Sequence, residues 1–217
     1  MNDKQSWLQP TWFLDWEAPA VLEFARRATE GAASDRERAS GLFYAVRDGL
    51  RYDPYSVNHT AEAYRASAIV EQSSAYCVPK AILLTALARS AGIPARLGFA
   101  DVRNHLATPK LLERMGTDVF VYHGYSELYL DGRWLKAAPT FNKELCERFG
   151  VSPQDFDGTA DALLHPFDAE GRRHMEYVKE RGTFDDVPFE EMMRVLEETY
   201  GRDIGSAQDG SDTIFQA

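Results

Sequence analysis

The chain has 217 residues, of which 44% are hydrophobic and 27% are charged, and its formal net charge is −10 at pH 7. This length supports one main domain with extensions better than two independent domains. No stretch has the length of a membrane-spanning helix, and residues 1–9 lack the apolar run of a secretory signal, which predicts a cytoplasmic protein. The acidic balance and the lack of a basic stripe argue against a nucleic acid partner.

The first 50 residues predict an arm and two helices that contribute to packing and not to catalysis. Residues 1–17 are rich in aromatic side chains without a clean period, which predicts an extended arm on the core. Residues 19–31 follow with apolar side chains at helical spacing. A second helix begins at Ser34, where Glu37 completes the sequence pattern of a capping box, and it carries one apolar face.

The stretch of residues 73–96 predicts a buried helix with a thiol at its start. From Ile82 to Ala88 only Thr85 is polar, so apolar side chains lie nearly all round the helix axis. Pro79 is typical of a first turn and Gly92 of a helix end. Cys77 then lies where free backbone N–H groups favour the thiolate and lower the thiol pKa. It is a candidate nucleophile, the alternative being a small buried hydrophobic residue.

The cysteine count argues against disulfides and structural metal. The chain has two cysteines, Cys77 and Cys146. Without a secretion signal, a disulfide between them is not expected, and two thiols are too few for an ordinary structural zinc site. We therefore expect neither a metal nor a cofactor. A metal site formed by Cys77, His123 and a second histidine is a weaker alternative, because no short-spaced ligand pair exists.

The middle of the chain predicts strands, including a hairpin. Residues 95–102 read as a strand and residues 106–116 as a short helix that ends at a glycine. Residues 118–138 give the strongest strand signal, with a two-residue turn at Asp131-Gly132. A hairpin with this turn pairs Tyr129 with Trp134 and, farther along, His123 with Thr140.

Beyond Asn142 we predict a mainly helical extension that covers or shapes the cleft. Its candidate helices are residues 144–149, 168–181 and 188–200. The last of these carries an apolar stripe that is typical of core packing. Residues 201–217 are rich in Gly, Ser and Asp, which predicts a mobile tail.

A nucleophilic thiol usually works with a histidine, whose pKa lies near neutrality. The five histidines are His59, His105, His123, His165 and His174. Of these, His123 lies in the middle of the predicted hairpin strand, where regular structure would hold the imidazole in place. It is therefore the candidate partner of Cys77, the alternative being a packed or surface histidine.

Two linked motifs resemble those of the transglutaminase-like superfamily. The first is Tyr76-Cys77-Val78-Pro79-Lys80-Ala81 with its continuation to Arg96, and the second runs from His123 to Pro139-Thr140. The resemblance covers residues 34–142. It implies an α+β fold of the papain-like type, in which the buried cysteine helix packs on an antiparallel sheet that carries the histidine.

With this resemblance the chain divides into four predicted parts. They are an N-terminal arm and helix (1–33), a transglutaminase-like core (34–142), a helical extension packed on the core (143–200) and the tail (201–217).

The resemblance also implies a reaction, in which the Cys77 thiol attacks an amide or acyl carbon with His123 as its base. The product is an acyl-enzyme that water or an amine resolves. The expected substrate is a peptide, a protein side-chain amide or a small amide. The backbone N–H of Cys77 would meet the oxyanion, with Gln72 as the candidate second donor.

One position departs from the family pattern. The family usually has aspartate before the Pro-Thr pair, and here that position is Ala138. Thr140, across from His123 in the predicted register, and Asn142 are the candidate replacements, because a hydroxyl or an amide can orient an imidazole. Carboxylates from elsewhere are a further option, namely those of Asp101, Asp118 and Glu127. The alternative function is a binding or scaffold protein of this fold that has lost turnover.

Overall fold

The computed structural model describes residues 3–201 as an α+β fold with a four-stranded antiparallel sheet. The helices are α1 (Pro19–Ala28), α2 (Asp35–Gly49), α3 (Ala66–Ile69), α4 (Cys77–Ser90), α5 (Pro109–Met115), α6 (Lys143–Arg148) and α7 (Phe189–Tyr200), with 3-10 turns at Asp3–Leu8 and Ala61–Tyr64. The strands are β1 (Arg51–Tyr52), β2 (Ser74–Ala75), β3 (Ala95–Asn104), β4 (Val119–Leu130), β5 (Arg133–Ala137) and β6 (Met175–Phe184). Within the described part of the chain, no helix is long and apolar enough to cross a membrane.

The centre of the fold is α4, which is buried from Val78 to Arg89 and packs on β4. In this buried stretch the Thr85 hydroxyl donates a hydrogen bond to the hydroxyl of Ser126 (2.9 Å), which in turn donates to the carbonyl of Ala81 (2.9 Å). These bonds satisfy the polar groups where helix and strand meet. The predicted buried helix is confirmed.

Two buried cations tie α4 to the segments around it. The Lys80 Nζ donates to the carbonyls of Arg47 and Leu50 (2.8 Å each), where α2 ends, and burial lowers the pKa of Lys80 to about 7. The Arg89 guanidinium donates to the carbonyls of three residues, Gln9, Ala95 and Asp185. The N-terminal arm and the segment before α7 are thereby fastened to the core.

The predicted helix signals of the N-terminal region are confirmed, with one difference of detail. The Ser34 hydroxyl accepts the N–H of Glu37 (3.2 Å), as a helix cap does. The Glu37 carboxylate reaches back to the N–H of Ala33 (2.7 Å) instead of that of Ser34. The predicted stop at Gly92 is also confirmed, since its φ of +79° is readily adopted only by glycine.

The sheet has the order β5-β4-β3-β6, and the hairpin register is confirmed near its turn. Tyr129 pairs with Trp134, and the ladder ends where Ser126 faces Ala137. The predicted pair of His123 with Thr140 is therefore wrong. Beyond the ladder, the N–H of Ala138 bonds to the carbonyl of Ala162 (2.8 Å), so the segment between α6 and β6 continues the backbone pairing at this edge.

The predicted helix at residues 168–181 is wrong, since Met175–Phe184 forms β6, antiparallel to β3. Without β6, one edge of the buried strand β3 would leave its backbone groups unpaired, which is costly. The local pattern did not reveal this strand because its burial does not alternate along its length. The predicted helices at 144–149 and 188–200 are confirmed as α6 and α7. The predicted mobile tail falls at residues 201–217, of which 202–217 lie outside the described residues.

Two glycines of α2 give a matched test of the packing between α1 and α2. A Cβ at Gly41 would collide with the carbonyl oxygen of Ala28, whereas at Gly49 the nearest atom is Phe24 Cζ at 3.9 Å. We expect Gly41→Ala to destabilise the fold by about 1 to 3 kcal/mol through overpacking. Gly49→Ala should instead be neutral or stabilising by up to about 1 kcal/mol. Urea unfolding measures both, and equal effects would contradict the predicted close contact.

Candidate active site

Cys77 is the first residue of α4, and a glycine of β4 lets the strand come close to it. A Cβ at Gly124 would lie 3.0 Å from the Val78 Cα and 3.4 Å from the Ala81 Cβ. The glycine therefore allows a contact between strand and helix that no other residue would allow without displacement. This contact brings the residue before it, His123, to the start of the helix.

One small cavity joins the two predicted catalytic side chains. Cys77, His123 and Thr140 all line it, together with apolar residues of the sheet and of the loops around it. His123 is 4% exposed, and its Nε2 is buried with no hydrogen-bond partner among residues 3–201. The ring of Tyr177 meets the imidazole edge to face at 5.8 Å between centroids. Packing thus holds the imidazole, and within the part of the chain that the structure describes its Nε2 has no hydrogen-bond partner.

The electrostatics of the cavity favour neutral groups. Burial raises the pKa of the Cys77 thiol to about 11, although the backbone N–H groups of Gly124, Val78 and Cys77 itself oppose the shift. Burial also lowers the pKa of His123 to about 3. The expectation that the helix start lowers the thiol pKa is therefore wrong, because desolvation outweighs the N–H groups. Thiol and imidazole are both neutral near pH 7.

The position of the missing aspartate is apolar. Ala138 is fully buried and packs with Ala100 and Tyr125. Burial is the cause of the His123 pKa shift, and no nearby charge of the described residues contributes to it. Among residues 3–201, no carboxylate thus replaces the aspartate as a partner of the imidazole.

The carboxylates considered as substitutes are engaged with arginines. Asp101 binds Arg181 (2.9 Å), Glu127 binds Arg96 (2.7 Å) and Asp118 pairs with Arg103 (3.2 Å). Asp101 also accepts the N–H of Tyr122 (3.1 Å), which holds the backbone just before His123. Tyr122 has a φ of +55°, an uncommon conformation for a residue with a side chain. Asp101 therefore helps to fix the conformation of the β4 backbone just before His123.

The other predicted site residues take different places. Thr140 is 1% exposed, and its hydroxyl has no hydrogen-bond partner among residues 3–201. Asn142 lines neither cavity near Cys77, and its Oδ1 accepts the backbone N–H of Tyr52 (3.0 Å). Gln72 also lies outside both cavities, with its Nε2 3.4 Å from the carbonyl of Ala63. The structure thus brings Thr140 to the cavity of Cys77 and His123, but not Asn142 or Gln72.

A second and larger cavity, of about 220 Å³, adjoins the first and is also lined by Cys77. Its lining comprises Tyr52, Pro54, Tyr55, Val57, Tyr76, Cys77, Leu111, Arg114, Met115, Phe120, Val121, Leu196 and Tyr200. The walls are apolar and aromatic, and within the described part of the chain Arg114 is the only charged residue in this lining. Sequence reasoning missed this set. The one available signal was the helical spacing of Leu111, Arg114 and Met115 on α5.

The alternative of a metal centre gains no support from the arrangement of ligand-type side chains. Residues 3–201 contain no group of three or more His, Cys, Asp or Glu side chains that could hold a metal ion.

A helix that begins with cysteine and packs on an antiparallel sheet bearing a histidine defines a papain-like α+β protein. The sequence profile of the Transglutaminase-like superfamily matches residues 22–139, more than half of the chain. The chain therefore belongs to the transglutaminase-like superfamily, and the resemblance of its two motifs is confirmed. No curated protein matches the sequence.

The chain is similar to solved structures at low sequence identity. A candidate cysteine protease from Cytophaga hutchinsonii is 16% identical, with a TM-score of 0.57 over 88% of this chain and 50% of that one. The chain thus spans half the length of that protein. The periplasmic domain of TgpA from Pseudomonas aeruginosa is 19% identical, with a TM-score of 0.45 over 64% of this chain and 48% of that one.

Proposed function

We propose that the protein is a cysteine-dependent enzyme that hydrolyses or transfers the acyl group of an amide through a thioester on Cys77. The observation that carries this proposal is the single cavity lined by the Cys77 thiol and by His123, whose Nε2 has no hydrogen-bond partner among residues 3–201. A nucleophile and a base in one enclosed space are what covalent catalysis at an acyl carbon requires.

The proposed reaction has two half-steps. The Cys77 sulfur attacks the substrate carbonyl carbon as its proton passes to the imidazole of His123, and the C=O electron pair moves to oxygen. The N–H at the start of α4 stabilises that oxyanion. The oxyanion collapses, the C–N bond breaks, and the amine leaves with the proton of the imidazolium. Water or a second amine then attacks the thioester, gives its proton to His123 and releases the thiol.

The neutral state of the pair shapes this mechanism. Because burial disfavours both the thiolate and the imidazolium, Cys77 and His123 do not form a stable ion pair before the substrate binds. Proton transfer has to accompany sulfur attack, when negative charge develops beside the imidazole and stabilises its positive charge. Thr140, whose buried hydroxyl has no hydrogen-bond partner within the described part of the chain, is the candidate to support His123 during this step.

For the substrate we propose a peptide or another amide. The apolar and aromatic walls of the larger cavity suit an apolar group next to the reacting carbonyl. The fold shared with the candidate protease from Cytophaga hutchinsonii is consistent with a peptide. We also propose that the protein is located in the cytoplasm.

A test of the proposal is mass spectrometry of the intact protein after mixing with p-nitrophenyl acetate, an activated ester. We expect one acetyl group on Cys77, formed with a burst of p-nitrophenol and lost with Cys77→Ser. Cys146→Ser is the matched control, because Cys146 is fully buried and its Sγ lies 3.9 Å from the carbonyl of Phe141. Acetylation should survive in this variant. An acetyl group that persists in Cys77→Ser would overturn the proposal.

The alternative is a binding or scaffold protein, which the apolar setting of Ala138 favours. It predicts no thioester with any activated ester, and alkylation of Cys77 by iodoacetamide no faster than that of Cys146. The enzyme proposal predicts faster alkylation of Cys77, because this thiol lines two cavities while Cys146 is enclosed.

A further inference from the structure

Among the described residues that line the larger cavity beside Cys77, one is charged, and the proposed reaction gives it no role. Arg114 lies on the last turn of α5, and Leu111 and Met115 reach the same cavity from the same helix face. The start of α5 is fixed by an N-cap, since the Thr108 hydroxyl accepts the N–H of Leu111 (3.2 Å) and Pro109 is the first residue of the helix. A left-handed Gly116 ends it directly after Met115. The position of Arg114 is thus fixed by regular structure.

The Arg114 guanidinium is held in place, but no acidic side chain of the described residues neutralises it. It is half-buried and stacks on the ring of Tyr55, 4.3 Å from the centroid. No carboxylate among residues 3–201 forms an ion pair with it. By contrast, Arg96, Arg103 and Arg181 are each paired with an acidic side chain. Stacking fixes the plane of the guanidinium and leaves its N–H groups available to a ligand.

We infer that Arg114 selects the substrate by binding a carboxylate, so that the preferred amide carries an apolar group ending in a carboxylate within this cavity. The inference rests on the proposed function, because it places the apolar, carboxylate-bearing group of the substrate beside the Cys77 thiol that reacts. The guanidinium fork matches a carboxylate in a bidentate contact, and the apolar walls exclude water that would weaken it. The remaining lining accommodates the apolar body.

The experiment measures binding to the full-length protein and needs no turnover. The probes are 3-phenylpropionate and its neutral isostere 3-phenylpropanamide, with affinity measured by calorimetry and protection of Cys77 from iodoacetamide measured by mass spectrometry. We expect the carboxylate to bind about 10- to 100-fold more tightly than the amide and to protect Cys77, as a hydrogen-bonded charge pair allows. Arg114→Gln should abolish this preference, and Arg114→Lys should keep part of it.

The matched control is Arg148→Gln, because Arg148 also stacks on an aromatic ring, that of Phe149 at 5.4 Å, but lies outside the cavity. It should leave the preference unchanged. Equal binding of both probes, no binding of either, or a preference that survives in Arg114→Gln would overturn the inference. None of these results bears on the proposed function, which the acetylation of Cys77 by a neutral ester decides separately.

Discussion

Replacing His123 by glutamine is expected to slow the acylation of Cys77 by p-nitrophenyl acetate about 10²- to 10⁴-fold at neutral pH, the usual contribution of a general base. Glutamine keeps much of the volume of the buried imidazole but cannot accept the thiol proton. Stopped-flow release of p-nitrophenol measures the rate.

The pH dependence separates a base from a structural residue. The pKa of His123 is about 3 and that of the Cys77 thiol about 11, so between about pH 5 and pH 9 both groups stay neutral and the wild-type rate should be nearly flat. Without the base, only the thiolate reacts. The rate of His123→Gln should therefore rise about tenfold for each pH unit below the thiol pKa.

The control for this variant is His105→Gln. His105 is exposed, and its Nε2 lies 2.9 Å from the Glu176 carboxylate, away from both cavities. This change should leave the rate and its pH dependence as in the wild type. If His123→Gln retained a fast, pH-independent reaction, another group would be the base.

Restoring the family's carboxylate with Ala138→Asp is expected to accelerate acylation about tenfold or more, because a charge at this position stabilises the imidazolium. An opposite charge within reach should raise the pKa of His123 by about 1 to 3 units from its lowered value of about 3. Stopped-flow kinetics measure the rate, and an NMR titration of the imidazole measures the pKa.

The substitution carries a cost in stability, because position 138 is fully buried among Ala100 and Tyr125. We expect Ala138→Asp to lower the free energy of unfolding by about 1 to 3 kcal/mol, as for a buried polar group with incomplete hydrogen bonding. Ala138→Asn is the matched control, since it has nearly the same shape without the charge. It should share the loss of stability but not the acceleration. An unchanged rate in a folded Ala138→Asp would show that a carboxylate at this position does not reach the imidazole.

Much of the fold could be predicted because its signals are local. The apolar run from Ile82 to Ala88, the capping pattern at Ser34 and the turn at Asp131-Gly132 each depend on a few neighbouring residues. The structure confirms all three. The strand β6 could not be predicted, because its place depends on the open edge of β3, which begins 80 residues earlier in the chain (175 − 95).

The sequence alone predicts Cys77 and His123 as the pair on which the proposed chemistry depends. Local signals place them at a helix start and a strand centre, and the resemblance of two motifs to those of the transglutaminase-like superfamily selects them as partners. Their protonation states were decided by the tertiary structure, because burial is a property of the packed protein and it moves both pKa values toward the neutral forms. Packing also decided between the two candidate supports of His123. Thr140 reaches the cavity, whereas the amide oxygen of Asn142 accepts the backbone N–H of Tyr52. Likewise, only the tertiary structure could show that Arg114 of α5 lines the same cavity as the Cys77 thiol.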